Sequence, residues 1–193
     1  MNYANIKYCD IANGPGVRTS LFVSGCRLHC KGCFNEVAWD FAAGAPLDDA
    51  VADQILQSLR PSYVHGITVL GGEPMEPENQ AGLLPLLRRV RAEVPGKTVW
   101  VFSGYTYDVI RWGTRHVQET DELLSLVDVL VDGPFMADRH DVSLRFRGSS
   151  NQRLIDVAAT RAREREAVDR GEDPRAVTPV GWEDDPVFAT HTM

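Results

Sequence analysis

The sequence lacks any hydrophobic run that could span a membrane. A transmembrane helix needs about 20 consecutive apolar residues, and no stretch of the 193 residues approaches that length. The N-terminus also lacks the basic segment and following apolar segment that mark a signal peptide. We therefore expect a cytoplasmic protein with no membrane partner.

Positive charge is also in short supply. The chain has 20 Lys and Arg against 27 Asp and Glu, which gives a formal net charge of −7. Binding to phosphate backbones requires clustered Lys and Arg, so we expect no nucleic-acid partner. The apolar fraction of 44% is ordinary for a globular protein, and the length suits one domain with a tail.

Cysteine is scarce and unevenly distributed. The chain has four cysteines, and three of them, Cys26, Cys30 and Cys33, fall within eight residues. In a reducing cytosol such clustering indicates metal ligation or catalysis rather than disulfide formation.

Short apolar runs alternate with helical patterns, which is typical of an α/β fold with a mostly parallel sheet. Apolar residues at helical spacing predict the helices, and short buried runs bounded by glycine or proline predict the strands. The predicted strands are 6–11, 21–23, 67–70, 98–102, 129–131 and 153–157, and the predicted helices are 48–59, 83–94 and 122–127.

The character of the sequence changes at Ala158. Residues 161–166 form a dense run of mixed charge, and glycine and proline residues then break any long helix. This pattern predicts one domain over residues 1–157, followed by a solvated charged helix and a loose tail over residues 158–193. A docking segment is the alternative for this tail.

The residues that are best suited to bind a metal or a cofactor follow the predicted strands. They lie in residues 26–33, 71–74 and 103–106 and at Asp132. Loops at the carboxyl ends of parallel strands hold the ligand in α/β folds. We therefore expect these four segments to share one rim of the sheet.

The spacing Cys26-x3-Cys30-x2-Cys33 suits an iron–sulfur cluster. Three closely spaced thiolates leave one iron of a cubane without a protein ligand, and S-adenosylmethionine (SAM) can chelate that iron. An electron from the cluster then cleaves a C–S bond and yields a 5′-deoxyadenosyl radical. A structural zinc site is the alternative, with His29 or Cys9 as the fourth ligand.

These motifs resemble a known family. The three-cysteine motif and Gly71-Gly72-Glu73-Pro74 together resemble the radical SAM superfamily. The finer resemblance is to the anaerobic ribonucleoside-triphosphate reductase-activating proteins. It covers roughly residues 5–157 and is specific because several separated motifs occur in the right order: residues 13–18, 33–35, 102–106, 131–135 and 147–153.

The resemblance implies a partial (β/α) barrel of the radical SAM type, open on one side. It implies a [4Fe-4S] cluster on Cys26, Cys30 and Cys33, and SAM as the second cofactor. The implied activity is that of an oxidoreductase that removes an α-hydrogen from a glycine of the large anaerobic reductase and so creates its glycyl radical. Flavodoxin or ferredoxin is the electron donor that we expect.

Two alternative functions remain open from the sequence. One is another small radical SAM enzyme, acting on a metabolite or on a pyruvate formate-lyase-type partner. The other is a non-catalytic iron–sulfur or zinc protein, which would use four protein ligands.

The resemblance also implies roles for residues 71–74. Gly71 and Gly72 would let the backbone approach the methionyl end of SAM, because they lack Cβ. Glu73 would accept a hydrogen bond from the SAM amino group, and Pro74 would stiffen the loop.

Four further residues are expected near the cofactor. Gly32 and Phe34 would flank the adenine, with a place in the ordinary core as the alternative for Phe34. Ser103 would bond the ribose or carboxylate, unless it forms a local turn. Asp132 would have a catalytic role in holding SAM or the target glycine loop, unless it caps a helix or turn.

Overall fold

A single mixed sheet organises the protein, whose computed structural model describes residues 1–182. The order of its seven strands is β3-β1-β2-β4-β5-β6-β7. The central strands β2, β4, β5 and β6 are parallel, whereas β1, β3 and β7 pair antiparallel. The strands are β1 (Asn2–Asp10), β2 (Val17–Val23), β3 (Ala45–Pro46), β4 (Val64–Gly71), β5 (Thr98–Phe102), β6 (Val129–Asp132) and β7 (Arg153–Asp156).

Within residues 1–182, five α-helices connect or cover the strands. Asp48 caps the first of them, since its carboxylate accepts a hydrogen bond from the Val51 amide at 2.9 Å. The helices are α1 (Asp49–Leu59), α2 (Pro77–Glu93), α3 (Tyr107–Arg111), α4 (Thr120–Ser125) and α5 (Val157–Asp169), and short 3₁₀ turns occupy Glu36–Trp39, Ala137–Arg139 and Pro174–Ala176.

The two faces of the sheet bury different side chains. In β5, Val99 and Val101 point into the large apolar cluster beneath the helices, whereas Trp100 points into a smaller cluster on the other face. This alternation follows from the two-residue period of a strand. Trp100 packs edge-on against Phe146 and Trp182, at ring-centroid distances of 5.3 and 4.8 Å.

The α/β class with a mostly parallel sheet is confirmed, and the sheet is not closed. All six predicted strands occur, and the predicted helices 48–59 and 122–127 correspond to α1 and α4. The helix predicted at 83–94 begins earlier, at Pro77, and α3 was not predicted. No helix within residues 1–182 is long and apolar enough to cross a membrane.

The segment after residue 157 makes ordered contacts as far as the structure describes it. Helix α5 buries Glu164 and Ala167, so it is not solvated on all sides as we expected. Beyond it, Asp156 donates a backbone hydrogen bond to Val180, and Trp182 donates one to Leu154. The remainder of the predicted tail, residues 183–193, lies outside the described residues, and the domain boundary at residue 157 stays a prediction.

Candidate active site

A cavity of about 580 Å³ opens at the carboxyl ends of the parallel strands. Its lining comes from the loops after β2, β4, β5 and β6, so the expected shared rim is present. Among the predicted site residues, those that line the cavity are Cys26, Cys30, Gly32, Cys33, Phe34, Gly71, Gly72, Glu73 and Ser103.

The cysteine loop, residues 26–33, is anchored on the 3₁₀ turn that follows it. Gly25 donates a backbone hydrogen bond to Ala38 at 2.8 Å, and Cys26 donates one to Trp39 at 3.1 Å. Gly25 has a φ of +98°, and a Cβ there would lie 2.2 Å from the Phe41 ring. Glycine is therefore required at the point where β2 turns into the cysteine loop.

The three thiols differ in burial. Cys26 is buried, whereas Cys30 and Cys33 are partly exposed. Burial raises the pKa of Cys26 to about 11 and also raises the pKa of Cys30, with the neighbouring Cys33 adding to the shift. Because metals bind the thiolate form, a cation in the cavity would have to stabilise the deprotonated sulfurs.

The residues considered as a fourth zinc ligand, His29 and Cys9, lie outside the cavity lining. Within residues 1–182, no set of three or more His, Cys, Asp or Glu side chains is close enough to hold one metal ion. Cys9 is exposed on β1 and His29 stacks on Trp39 at 4.5 Å, and neither lines the cavity.

Gly71 and Gly72 bring the loop after β4 against the cysteine loop. Gly72 donates a backbone hydrogen bond to Val23 at 2.7 Å, and Glu73 donates one to Gly25 at 2.8 Å. A Cβ on Gly72 would lie 2.6 Å from the carbonyl oxygen of Gly25, and Gly71 has a φ of +110°. Both glycines are thus required by the chain's own packing.

The carboxylate of Glu73 ties the loop after β4 to the loop after β5. It accepts hydrogen bonds from the Met75 amide at 2.8 Å, the Ser103 hydroxyl at 2.8 Å and the Gly104 amide at 2.7 Å. Glu73 is buried, and burial raises its pKa to about 7. A carboxylate has about four acceptor positions, so one remains for a further donor in the cavity.

Ser103 forms the local turn that was the alternative to ligand binding. Its hydroxyl oxygen accepts a hydrogen bond from the Tyr105 amide at 3.0 Å while its proton goes to Glu73. A hydroxyl oxygen has two lone pairs, so Ser103 can still accept one bond from a ligand.

Asp132 lies outside the cavity lining, although β6 ends at its rim. Its carboxylate accepts from the Tyr107 amide at 2.7 Å and forms a paired contact with Arg153, with distances of 2.9 and 2.5 Å. Tyr107 begins α3, so Asp132 binds the first amide of that helix from a neighbouring strand, while its role toward SAM or the target glycine stays a prediction. Pro74 is buried beside Glu73 and does not line the cavity either.

Gly32 and Phe34 lie at the open side of the cavity. Phe34 is 84% exposed, which rules out the alternative of an ordinary core position. Gly32 has a φ of +77°, and no atom lies within 4 Å of a Cβ built there. The pair therefore borders open space next to Cys33.

Comparisons with known proteins identify the family. A family described as a 4Fe-4S single cluster domain matches residues 12–155. The anaerobic ribonucleoside-triphosphate reductase-activating protein of Pasteurella multocida is 45% identical over 154 residues, which cover 79% of this chain and 95% of the relative. The protein of the same name from Escherichia coli K12 is 44% identical over 154 residues, which cover 79% of this chain and 96% of the relative. A phage T4 relative with the same name is 36% identical (80% and 93%).

The chain belongs to this family of reductase-activating proteins. The family resemblance read from separated motifs is thereby confirmed, and the iron–sulfur domain match includes all three clustered cysteines. The match ends at residue 155, so α5 and the segment after it lie beyond the shared domain.

Several cavity residues of this family member were not predicted. The segment between β6 and β7 supplies one wall with Phe135, Phe146 and Arg147, and Trp39 supplies another part of the lining. These residues belong to irregular segments in which no periodic pattern signals burial. The motifs at 131–135 and 147–153 include Phe135 and Arg147 and were the available signals for those two residues.

Proposed function

We propose that the protein is a radical SAM activase that creates the glycyl radical of an anaerobic ribonucleoside-triphosphate reductase. The observation that supports this most strongly is the joining of three thiols and the Gly71–Glu73 loop in one cavity at the carboxyl ends of parallel strands. The open sheet is, in this proposal, the partial (β/α) barrel of the radical SAM type.

The residues fit a [4Fe-4S] cluster held by Cys26, Cys30 and Cys33. No fourth cysteine lines the cavity, so one iron would be available to the amino and carboxylate groups of SAM. When bound and reduced, the cluster supplies the electron that cleaves SAM, and the resulting carbon radical removes hydrogen from a glycine of the partner.

The protein's own residues would bind and orient SAM. Glu73 lines the cavity and keeps one acceptor position, with which the SAM ammonium group would make a charge-assisted hydrogen bond. Ser103 would accept a hydrogen bond from a ribose hydroxyl, because its own proton is donated to Glu73. Gly32 and Phe34 border the open side, where a planar adenine can pack on an exposed aromatic ring.

The electron donor in this proposal is a low-potential one-electron carrier such as flavodoxin or ferredoxin. The net charge of −7 gives no reason to expect a nucleic acid as a further partner. Electron entry would occur at the partly exposed Cys30 and Cys33 side of the loop.

Anaerobic reconstitution tests this proposal. The wild-type protein should bind four iron and four sulfide per chain and should cleave SAM when a strong reductant is added. Cys30→Ser should lose the cluster, whereas Cys9→Ser, on the exposed face of β1, should retain both properties. Equal loss of metal in the two variants would instead indicate a site closed by four cysteines.

A further inference from the structure

Glu76 is a buried carboxylate between the loop that contains Gly71–Glu73 and α2. It immediately precedes Pro77, the first residue of that helix, and its side chain is 0% exposed. A buried carboxylate is unfavourable unless charged or hydrogen-bonding partners surround it. The identity of those partners therefore indicates which parts of the chain Glu76 holds together.

Three loops of the cavity meet on this carboxylate. Its Oε1 accepts a hydrogen bond from the Arg27 backbone amide at 3.1 Å and another from the Tyr105 hydroxyl at 2.9 Å. Its Oε2 accepts from Arg27 Nη1 at 2.7 Å, and Arg115 Nη1 lies 3.7 Å away. Arg27 follows Cys26 directly, and Tyr105 belongs to the loop after β5.

Further contacts fix the Arg27 side chain. Its guanidinium also binds Glu78 at 2.6 Å and lies over the Phe41 ring, 4.4 Å from the centroid. Charge-assisted hydrogen bonds of this kind are about twice as strong as neutral ones. The residue next to Cys26 is therefore held at both its backbone and its side chain.

The backbone before Cys26 is held by Asn79, a side chain in the first turn of α2. The Asn79 side-chain amide donates to the carbonyl oxygens of Ser24 at 3.0 Å, Gly25 at 3.3 Å and Glu73 at 2.9 Å. Cys26 itself donates to Trp39. Glu76 accepts the hydrogen bond of the following amide, that of Arg27. The peptides on both sides of Cys26 are therefore fixed by hydrogen bonds.

We propose that Glu76 is a positioning residue that sets the Cys26 thiol against the Gly71–Glu73 loop before any cofactor binds. Support of this kind, from residues behind the ligands, is what keeps a ligand set in productive geometry. The inference rests on the proposed function for what the cavity binds. The arrangement of the loop is a property of the cofactor-free chain and can be measured there.

Glu76→Met tests the proposal because methionine has a similar volume but is a poor acceptor. Glu78→Met is the matched control, since Glu78 shares Arg27 but is exposed and touches no cysteine-loop backbone. The measurements are amide hydrogen exchange of the cofactor-free protein by NMR, and iron bound per chain after anaerobic reconstitution.

The Arg27 amide should exchange at least about ten-fold faster in Glu76→Met, with a smaller rise in Glu76→Gln, which keeps one acceptor. Amides of β4 and β5 should keep their wild-type rates, and Glu76→Met should bind less iron. The control should match wild type throughout.

An unchanged Arg27 rate in Glu76→Met would overturn the proposal, as would an equal rise at every amide, which indicates loss of stability alone. If Glu76→Met does not fold, a wild-type Arg27 rate in Glu76→Gln would overturn it too. A wild-type protein that assembles no cluster would refute the proposed function and leave the exchange result standing.

Discussion

Gly72 occupies a position where the chain leaves no room for a side chain. An added Cβ would lie 2.6 Å from Gly25 O and 2.8 Å from Ala38 O, which are backbone atoms and cannot rotate away. We predict that Gly72→Ala lowers the free energy of unfolding by about 1–3 kcal/mol and reduces the iron bound per chain. Urea unfolding of the cofactor-free protein and iron analysis measure the two effects.

Gly104 provides the matched control for this prediction. Its added Cβ would meet Leu28 Cδ1 at 2.3 Å, the far end of a flexible side chain. Gly104→Ala should therefore change the free energy of unfolding by less than about 1 kcal/mol. Equal effects of the two substitutions would contradict the close approach of the two loops at Gly72.

Substitution of Asp132 tests whether this residue has a structural or a catalytic role. Its carboxylate accepts three hydrogen bonds from Tyr107 and Arg153 and is 1% exposed. We predict that Asp132→Asn lowers the free energy of unfolding by about 1–3 kcal/mol but leaves iron binding and SAM cleavage unchanged once the protein is folded. Normal stability together with lost SAM cleavage would return Asp132 to the catalytic machinery.

At the scale of elements, a buried carboxylate is one of the groups that hold α5 on the domain. Glu164 accepts a hydrogen bond from the Tyr107 hydroxyl at 2.7 Å and lies 3.3 Å from Arg111. We predict that Glu164→Gln lowers the free energy of unfolding by about 1–3 kcal/mol, measured by urea unfolding. The exposed Glu166 is the control, and Glu166→Gln should stay within about 0.5 kcal/mol of wild type. Equal losses in the two variants would contradict the buried link.

The sequence predicts the strands well because each parallel strand is a short apolar run bounded by turn residues. The start of α2 was missed because its first two turns are polar. Asn79 and Gln80 are nonetheless buried, since their side chains bond to the backbone of neighbouring loops. Helix α3 has only five residues, which is too short to show a helical period.

At the scale of the whole molecule, the local motifs predicted which segments line one cavity, while the roles of their residues stay predictions. The cysteines, the Gly71–Glu73 loop and Ser103 meet because consecutive parallel strands end at the same edge of the sheet. The wall formed by Phe135 and Phe146 could not be predicted, since it depends on contacts between segments far apart in sequence. The contact between the Trp182 and Trp100 rings was missed for the same reason.

Electron paramagnetic resonance of the partner reductase tests the central claim most directly. The reductase should be incubated anaerobically with the reconstituted protein, SAM and a reductant, in parallel with the Cys26→Ala variant. The account predicts a glycyl radical signal with the wild-type protein and none with Cys26→Ala. SAM cleavage by the wild-type protein without any glycyl signal would contradict the proposed substrate and point to another small radical SAM enzyme.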